Sequence, residues 1–526
     1  MRLLLSFKPT NPNMPTTHHH LGTTADFAAT DLKDYEITDQ HRIAVAKVDG
    51  EFHAIYGKCT HYGAPLGKGH LDGCRVVCPW HQACFDAKTG QHLETPGLDS
   101  LPGYEIEVDG DDLYVHLPEE WQTQRTPEMA QKTNDDEVYA IVGGGIAAQN
   151  AAEGLRQAGF SGRVVMIAAE KHRPYDRTKL SKAFLGGGAK ESGLPLRDKA
   201  FYEKHDIDLR QGVKVTQADT DTRKLHLSDG STVTYDKVLF ATGGRARELN
   251  VPGKDLDGVH LLRKWEDAAD LKAAAQAADN IVIVGSSFIG LEAASNLQTK
   301  GTIHVVGMDE TPFAGVFGEE VGKWIQGLHE AKGIQFRMGR KTEALEGEES
   351  VTGVRLDNGE TIEADLVVIG IGVQLNTGYL PEAMLEKDKG VKVDTHLRIN
   401  DHHYAAGDIA HYPDHGRTLR IEHWKLAGQQ GKIAALNMAG KATTYDMVPY
   451  FWTAQQGTNL RYAGHAEDFD SVEIDGSLSD KNFIAYYLKN GKVYAALGVG
   501  NDVKTAAIRE RLREGFPTLE ELRAAL

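Results

Sequence analysis

Two stretches of this chain, Ile141-Val-Gly-Gly-Gly-Ile-Ala-Ala148 and Ile283-Val-Gly-Ser-Ser-Phe-Ile-Gly290, repeat one pattern and decide the fold. Each reads as an apolar strand, a glycine-containing turn and the start of an alanine-rich helix. Glycine lets the backbone turn tightly and approach a pyrophosphate, which rests on the N-terminus of the following helix. Two copies of this strand–turn–helix pattern predict two nucleotide-binding α/β domains in one chain.

The remaining sequence divides around these two units. Short alternating strands and Asp-Gly turns predict an all-β module before them, and a strand-rich tail closed by a helix predicts a small α+β domain after them. The polar segment 118–137 predicts a flexible tether. We expect an all-β domain at 22–120, a linker at 121–136, a split Rossmann-like domain at 137–257 and 375–447, a second Rossmann-like domain at 258–374, and a C-terminal α+β domain at 448–526. Residues 9–24, with the run His18-His19-His20, are typical of a disordered leader.

Composition narrows the class of protein. The chain has 526 residues, and its 75 acidic against 58 basic side chains give a net charge of −17. That excess disfavours nucleic acid and anionic membranes as partners. No apolar stretch approaches membrane-spanning length, and the opening residues are too short for a signal peptide. We therefore expect a cytoplasmic protein without a transmembrane segment, with a homodimer as a possible assembly.

All four cysteines fall between positions 59 and 84, where two of them lie beside histidines in the patterns Cys59-Thr-His61 and Cys78-Pro-Trp-His81. Each loop offers one thiolate and one imidazole. A zinc ion accepts two cysteines and two histidines. The C-x-H spacing is unusual for zinc, however, and the two loops resemble those of Rieske [2Fe–2S] domains, in which each loop supplies one ligand to each iron. The metal ligands implied are Cys59, His61, Cys78 and His81.

The same resemblance assigns roles to the neighbours of these ligands. High-potential Rieske domains place serine and tyrosine hydroxyls where this chain has Ala83 and Phe85, so we expect a low potential, on the order of −150 mV. The loop positions of the usual Rieske disulfide hold Ala64 and Trp80, which predicts that this bridge is absent. Gln82 stands where the family has glycine. Cys74 and Cys84 are interpreted as structural core cysteines.

Several further segments resemble the signatures of the pyridine nucleotide–disulfide reductases, whose fold is of the glutathione-reductase type. They are Pro174-Tyr-Asp-Arg-Thr-Lys-Leu-Ser-Lys182, Leu239-Phe-Ala-Thr-Gly243 and Tyr404-Ala-Ala-Gly-Asp408. The acid that ends the strand after the first turn is placed to bind a ribose, and Lys182 is expected near the flavin N5 edge. The FAD-binding residues implied are Gly143, Gly145, Ala148, Glu170, Arg177, Lys182, Thr242, Gly243 and Asp408.

The second glycine turn predicts an NAD(P)H site with Gly285 and Gly290, although Ser287 replaces its middle glycine. By the same resemblance Glu292 lies near the nicotinamide, and with Lys182 it forms the expected catalytic pair. The position of the usual ribose-binding acid holds Gly307, and no arginine cluster is evident nearby in the sequence. These features slightly favour NADH over NADPH.

The resemblance covers nearly the whole chain. The chain is most similar to the Rieske-containing, apoptosis-inducing factor 3-like family, which is related to oxygenase ferredoxin reductases. Trp424 and Trp452 would then flank the flavin, although core packing is an equal alternative for each. The implied activity is an FAD-dependent NAD(P)H:acceptor oxidoreductase of ferredoxin-reductase type that delivers electrons through its cluster to an external one-electron acceptor. A redox-sensing or signalling flavoprotein with little turnover is the alternative. An oxygenase is disfavoured because the sequence has no visible 2-His-1-carboxylate motif.

Overall fold

The computed structural model describes residues 3–5, 16–27, 31–133, 136–297 and 301–526. In these ranges the chain is a multidomain protein with an all-β unit, two α/β units and an α+β unit, which confirms the predicted fold class. None of the helices in the described ranges combines the length and the apolar character needed to cross a membrane.

The N-terminal unit contains two antiparallel sheets. Its described residues form a seven-stranded sheet in the order Thr16–Thr23, Asp112–Pro118, Gly103–Asp109, Glu51–Tyr56, Arg42–Val48 and Leu32–Glu36, with Leu3–Leu5 also paired to Gly103–Asp109. The smaller sheet has the strands His70–Asp72, Arg75–Val77, Cys84–Asp86 and His92–Glu94. Short 3₁₀ turns span Thr24–Phe27 and Leu66–Lys68. The second cysteine–histidine loop connects the strands Arg75–Val77 and Cys84–Asp86 of the smaller sheet, and the first follows Glu51–Tyr56 of the larger one.

The prediction of a disordered leader is wrong for the part that the structure describes. Strand Thr16–Thr23 pairs along its whole length with Asp112–Pro118, because the backbone groups at that edge of the sheet find partners there. The rest of the predicted leader, 9–15, lies outside the described residues.

The prediction of a flexible tether is also wrong, because the segment lies against both of its neighbours. Trp121 packs on the all-β core and stacks on His41 with ring centroids 4.3 Å apart. Further along, the backbone amide of Ala130 donates to the Arg156 carbonyl at 2.8 Å. Burying a large aromatic side chain stabilises the folded chain. Because the residues around Trp121 are polar, the sequence did not indicate that this side chain is buried.

The first α/β unit is built on a parallel sheet with the strand order Ile207–Gln211, Arg163–Ala168, Val138–Val142, Lys237–Phe240 and His403–Ala405. Its helices are Ile146–Gln157, Lys199–Lys204 and Trp424–Met438. Smaller sheets contain Val215–Asp219 with Lys224–Leu227 and Thr232–Thr234, Val391–Lys392 with Ala410–Asp414 and Arg417–Leu419, and Gly244–Ala246 with Val373–Leu375. Short helical turns span Arg177–Lys179, Leu180–Phe184, Glu191–Gly193, Glu382–Met384 and Gly407–Ile409.

Small residues bring the two long helices of this unit together. A Cβ atom at Gly431 would lie 2.0 Å from the carbonyl oxygen of Ala147 on the facing helix. Only glycine permits this approach. The contact joins the helix that follows the first glycine turn to the C-terminal helix of the same unit, so residues far apart in sequence form one core.

The second α/β unit repeats the architecture. Its parallel sheet has the order Val259–Leu261, Leu366–Ile369, Asn280–Val284, Thr302–Val306 and Gln335–Arg337. Helices Trp265–Ala275, Phe288–Asn296 and Ala314–Glu330 accompany it, and a small sheet adds Thr342–Gly347, Val351–Leu356 and Thr361–Glu363.

The C-terminal unit is one antiparallel sheet with two helices. The strand order is Tyr450–Gln455, Thr458–Gly464, Lys492–Val499, Asn482–Lys489 and Ser471–Ser477, and the helices are Asp502–Arg513 and Leu519–Ala524. The first of these helices contacts the strand His70–Asp72 of the N-terminal unit, so the first and last units of the chain are in contact.

Candidate functional site

The two cysteine–histidine loops have the same backbone geometry. The amide of Cys59 donates to the Ala64 carbonyl at 2.9 Å, and the amide of Cys78 donates to the Ala83 carbonyl at 2.8 Å. Within each loop the amide four residues after the cysteine donates back to the cysteine carbonyl. Each loop is therefore a closed turn that holds its cysteine and histidine toward the other loop.

Gln82 keeps this geometry although the family has glycine at its position. Its φ is 54°, in the left-handed region, and Gly63 at the matching place in the first loop has φ 77°. The departure that the sequence indicated therefore leaves the shape of the loop unchanged. The backbone strain that a side chain adds at such a φ is of order 1–2 kcal/mol.

The four predicted metal ligands meet as two pairs. The ring nitrogens Nδ1 of His61 and His81 lie 3.1 Å apart, and the thiol of Cys59 hydrogen-bonds to the sulfur of Cys78, which raises the pKa of Cys59 well above its usual range. Burial lowers the pKa of His61 to about 4. Neutral imidazoles are the form that ligates a metal.

This pairing distinguishes between a zinc site and a Rieske [2Fe–2S] cluster, the two metal sites that the sequence allowed. Among the described residues, three or more potential ligand atoms lie within 4.8 Å of one another in one group alone, which consists of His18, Glu107 and His116. The cysteine pair and the histidine pair thus stand further apart than the ligands of one tetrahedral zinc. Two sulfur ligands on one side and two imidazoles on the other fit a [2Fe–2S] cluster of Rieske type.

The other two cysteines lie outside this arrangement. None of the four cysteines forms a disulfide. Cys84 is fully buried, as predicted for a core residue, whereas Cys74 is partly exposed, so the expectation of a buried cysteine is wrong for Cys74. Cys74 follows a tight Asp-Gly turn, which holds it at the edge of the small sheet.

The predicted FAD residues gather at one edge of the first parallel sheet. Gly143, Glu170, the Thr242-Gly243 turn and Asp408 each follow a different strand of that sheet. In an open α/β sheet the carboxyl ends of the strands form the ligand crevice. A Cβ at Gly143 (φ 149°) would meet the Ala241 carbonyl oxygen at 2.3 Å, whereas one at Gly145 would meet no described atom within 4 Å. The turn therefore needs glycine at 143 and is open at 145, where a pyrophosphate would approach.

Two ion pairs arrange the charged residues of this edge. Arg177 donates to Glu170 at 2.7 Å. Burial alone would raise the pKa of Glu170, but the charge of Arg177 and the hydrogen bond from the Tyr175 hydroxyl keep this pKa below its usual value. Asp408 pairs with Arg263 at 2.8 Å. The sequence analysis did not identify Tyr175 or Arg263 as site residues. Tyr175 could have been found, because it lies within the same motif as Arg177 and Lys182.

Lys182 and Glu292 form an ion pair between the two α/β units. The Nζ of Lys182 lies 2.7 Å from Oε2 of Glu292, a side chain that is almost fully buried. The same carboxylate accepts hydrogen bonds from Ser181 at 2.6 Å and from Thr453 at 2.7 Å. Three segments of the chain, around Ser181-Lys182, Glu292 and Thr453, thus meet at one carboxylate.

Trp452 brings the metal-ligand loops next to this ion pair. Its ring centroid lies 4.4 Å from that of His81 and 5.0 Å from that of His423. Lys182 is close enough to contribute to lowering the pKa of His81, for which burial is the main cause. Trp424 packs against the same small apolar cluster. The structure therefore places Trp452 between the N-terminal unit and the predicted flavin edge.

The second glycine turn has the expected form, and its irregular residue has a structural task. Gly285 (φ 110°) is required because a Cβ would lie 2.3 Å from the Gly370 carbonyl oxygen. Ser287 caps the helix Phe288–Asn296 by accepting from the Gly290 amide at 3.2 Å. The replacement of the middle glycine thus supplies a side-chain cap at the helix N-terminus.

Two arginines that are distant in the sequence lie beside Gly307 through backbone hydrogen bonds. The amide of Gly307 donates to the Arg337 carbonyl at 3.1 Å, and the amide of Arg340 donates to the Gly307 carbonyl at 2.9 Å. Both arginines belong to the neighbouring parallel strand and the loop after it, about thirty residues later in the chain. The residues that surround Gly307 in the sequence therefore do not reveal these two arginines.

The N-terminal unit is bound to the rest of the chain through buried polar contacts. Lys425, fully buried, donates to the carbonyls of Gln82, at 2.8 Å, and Thr95. The Arg461 side chain donates to the Trp80 carbonyl at 2.9 Å. The buried carboxylate of Glu94 is surrounded by four basic side chains, which are Arg75, Arg509, Arg513 and Lys425.

Family models match three consecutive parts of this chain. A pyridine nucleotide-disulphide oxidoreductase model matches residues 138–431, a Rieske [2Fe-2S] domain model matches 18–105, and a reductase C-terminal model matches 450–524.

Curated proteins and solved structures agree with these matches. Apoptosis-inducing factor 3 of Homo sapiens is 36% identical over 90% of this chain and 80% of that protein, and rhodocoxin reductase of Rhodococcus erythropolis is 32% identical over 72% and 90%. A ferredoxin reductase from Rhodopseudomonas palustris superposes with a TM-score of 0.71 at 32% identity, covering 74% of this chain and all of that one. The putidaredoxin reductase–putidaredoxin covalent complex gives 0.70 at 28% identity, covering 74% and 96%.

Proposed function

This chain belongs to the pyridine nucleotide-disulphide oxidoreductase family and carries a Rieske [2Fe-2S] domain, and on that basis we propose that it passes electrons from NAD(P)H through FAD to its own cluster and on to an external one-electron acceptor. Its relatives include ferredoxin reductases, and it is an oxidoreductase of that type.

The contact between His81 and Trp452 carries this proposal. The ring centroids of these residues are 4.4 Å apart, and Trp452 belongs to the strand that also bears Thr453, a hydrogen-bond partner of Glu292. A histidine that would ligate the cluster is thus one aromatic ring away from the residues that would surround the flavin. Such proximity supports intramolecular electron transfer.

The chain's own residues bind and orient the redox groups. We propose that the glycine turn at Gly143–Gly145 receives the FAD pyrophosphate and that Asp408, held by Arg263, receives the ribityl chain. The cluster would be held by Cys59, Cys78, His61 and His81. When bound, FAD supplies two-electron chemistry and the Rieske cluster one-electron chemistry.

Lys182 and Glu292 would act at the nicotinamide–flavin contact. The carboxylate of Glu292 fixes the Lys182 ammonium at 2.7 Å, so the positive charge is oriented before the nucleotide arrives. A preorganised charge stabilises negative charge that develops during a reaction without reorganisation at that moment. The second glycine turn, with Gly285 and Gly290, would receive the NAD(P)H pyrophosphate.

The interface between units supports a docked Rieske domain. Lys425, Arg461 and Arg509 all come from the reductase part of the chain and donate to groups of the N-terminal unit. Separating the units would leave Glu94 with Arg75 alone of its four basic partners, and removing one side of a buried ion pair typically costs about 3–5 kcal/mol. A putidaredoxin reductase forms a complex with putidaredoxin, which supports a protein as the external acceptor here.

Replacing one cluster ligand tests the proposal. Cys78→Ser should abolish the Rieske EPR signal and the reduction of cytochrome c by NADH, while leaving bound FAD and the reduction of ferricyanide by NADH. Cys74→Ser is the matched control, since Cys74 is a free cysteine outside the pair. Undiminished cytochrome c reduction in Cys78→Ser would contradict the route through the cluster. A wild-type protein with an intact cluster and negligible turnover with any acceptor would favour the redox-sensing alternative.

A further inference from the structure

Three side chains from three strands of the N-terminal unit converge away from the redox centre. Nε2 of His18 lies 3.3 Å from Oε2 of Glu107, and Nε2 of His116 lies 3.1 Å from the same oxygen. All three candidate ligand atoms lie within 4.8 Å of one another. The function proposed above uses none of these residues.

Strand register explains how the group forms. His18 is the direct cross-strand partner of His116, and Glu107 pairs with Tyr114, two residues before His116 on the same strand. Residues at such spacing share one face of a sheet. His18 also stacks on Tyr114, with ring centroids 4.4 Å apart and planes at 15°, which orients its imidazole toward the carboxylate.

We propose that His18, Glu107 and His116 bind a zinc ion that fastens the strand Thr16–Thr23 to the sheet. Zinc bonds to imidazole nitrogen and carboxylate oxygen of about 2.0 Å, at tetrahedral angles, place ligand atoms roughly 3.3 Å apart. The two nitrogen–oxygen separations, 3.3 and 3.1 Å, match that spacing. Two histidines and one glutamate are a donor set that zinc accepts, with water as the fourth ligand.

Burial of the carboxylate strengthens the assignment. The Glu107 side chain is 3% exposed, whereas that of His18 is 43% exposed. The buried carboxylate is held inside the sheet, and the exposed histidine leaves a path from solvent for the ion. Zinc is favoured over iron(II) at such a site because affinity for divalent metals rises from iron to zinc in the usual order.

Metal titration of the full-length protein with its cluster intact tests the site. Calorimetry with Zn²⁺ should show one saturable equivalent in the wild type, and the visible spectrum of the cluster serves as the control that zinc has not displaced iron. His18→Ala and His116→Ala should weaken zinc binding by roughly 100-fold, because loss of a direct ligand costs at least as much as loss of a supporting partner. His18 is exposed, so its replacement leaves the fold intact. Hydrogen exchange of the strand Thr16–Thr23 should slow on addition of zinc in the wild type but not in His18→Ala or His116→Ala.

The run of three histidines offers a matched control. His19 pairs with Val115, on the opposite face from the group, and His19→Ala should bind zinc like the wild type. Equal zinc affinity in His18→Ala and His19→Ala, or no saturable binding in the wild type, would overturn the proposal and leave a hydrogen-bonded group only. Tighter binding of iron(II) than of zinc under anaerobic conditions would overturn the assignment of the metal.

Discussion

The rings of His81 and Trp452 are in contact, with centroids 4.4 Å apart and planes inclined by 52°. His81 belongs to the all-β N-terminal unit, and Trp452 to the C-terminal unit, some 370 residues later in the chain. The contact therefore connects the metal-ligand loops to the part of the reductase that surrounds Lys182 and Glu292.

We predict that Trp452→Leu slows electron transfer to the cluster and leaves flavin reduction unchanged. Loss of the indole removes the ring between His81 and the flavin edge and admits water, and changing the surroundings of a metal site typically costs roughly 10–100-fold in activity. Stopped-flow absorbance separates the two steps. Trp324→Leu, at a tryptophan that packs on Phe483, is the control for loss of an indole elsewhere. Equal slowing of both steps in Trp452→Leu would contradict the assigned role.

The ion pair between Lys182 and Glu292 should matter for the nicotinamide step. Glu292→Gln keeps the size of the side chain but removes the charge that fixes Lys182. We expect flavin reduction by NADH to slow roughly tenfold or more, because the reacting groups lose their fixed geometry. Glu319→Gln, which removes a carboxylate paired with Lys323 at the surface, should have no effect, since exposed pairs contribute little. Unaltered flavin reduction in Glu292→Gln would show that the pair is structural.

Arg340 should contribute to binding of NADPH. Its amide bonds to the Gly307 carbonyl, at the position where this fold usually has the acid that repels a 2′-phosphate. Arg340→Ser should raise the KM for NADPH about fivefold, equivalent to about 1 kcal/mol for an exposed charge contact, and leave the KM for NADH unchanged. Arg355→Ser, in the small sheet of the same unit, is the control. An equal rise for both nucleotides would contradict a contact with the 2′-phosphate.

Acid should destabilise the protein through His329. Burial lowers its pKa from 6.5 to about 4, and the ring bonds to Gln455 and Gln456. Between pH 6.5 and 4 the unfolded chain binds a proton that the folded chain does not, so this contribution is complete above pH 6.5 and is lost as the pH falls. At pH 5 the loss is about 2 kcal/mol.

Thermal unfolding at pH 7 and pH 5 measures this effect. His329→Gln should lose less stability on acidification than the wild type, and His402→Gln, at an exposed histidine, should behave like the wild type. The same acid-induced loss in His329→Gln would assign the proton uptake to other groups.

The sequence predicted those features that are encoded by a few consecutive residues. The glycine turns at Gly143 and Gly285 and the paired spacing around Cys59 and Cys78 each lie within a few residues, so the sequence alone indicated the fold and the metal ligands. The Gly307–Arg340 contact and the grouping of His18 with Glu107 depend on which strands are neighbours. That information arises only from the folded sheet.

The contacts that hold the N-terminal unit against the rest of the chain likewise depend on residues far apart in sequence. Trp121 stands in a polar segment, and two of the four basic partners of Glu94, Arg509 and Arg513, come from the C-terminal part of the chain. Charge and composition predicted a linker between units, whereas the buried ion pairs that hold the units together required the tertiary structure.

Rapid-freeze EPR after anaerobic mixing with NADH tests the central claim most directly. The full-length protein, loaded with FAD and cluster, is mixed over a tenfold range of its own concentration, and flavin reduction is followed in parallel by absorbance. The account predicts that the reduced Rieske signal follows flavin reduction with a first-order rate constant that is the same at every protein concentration. A cluster that stays oxidised while the flavin is reduced, or a rate constant that rises with protein concentration, would contradict electron transfer within one chain.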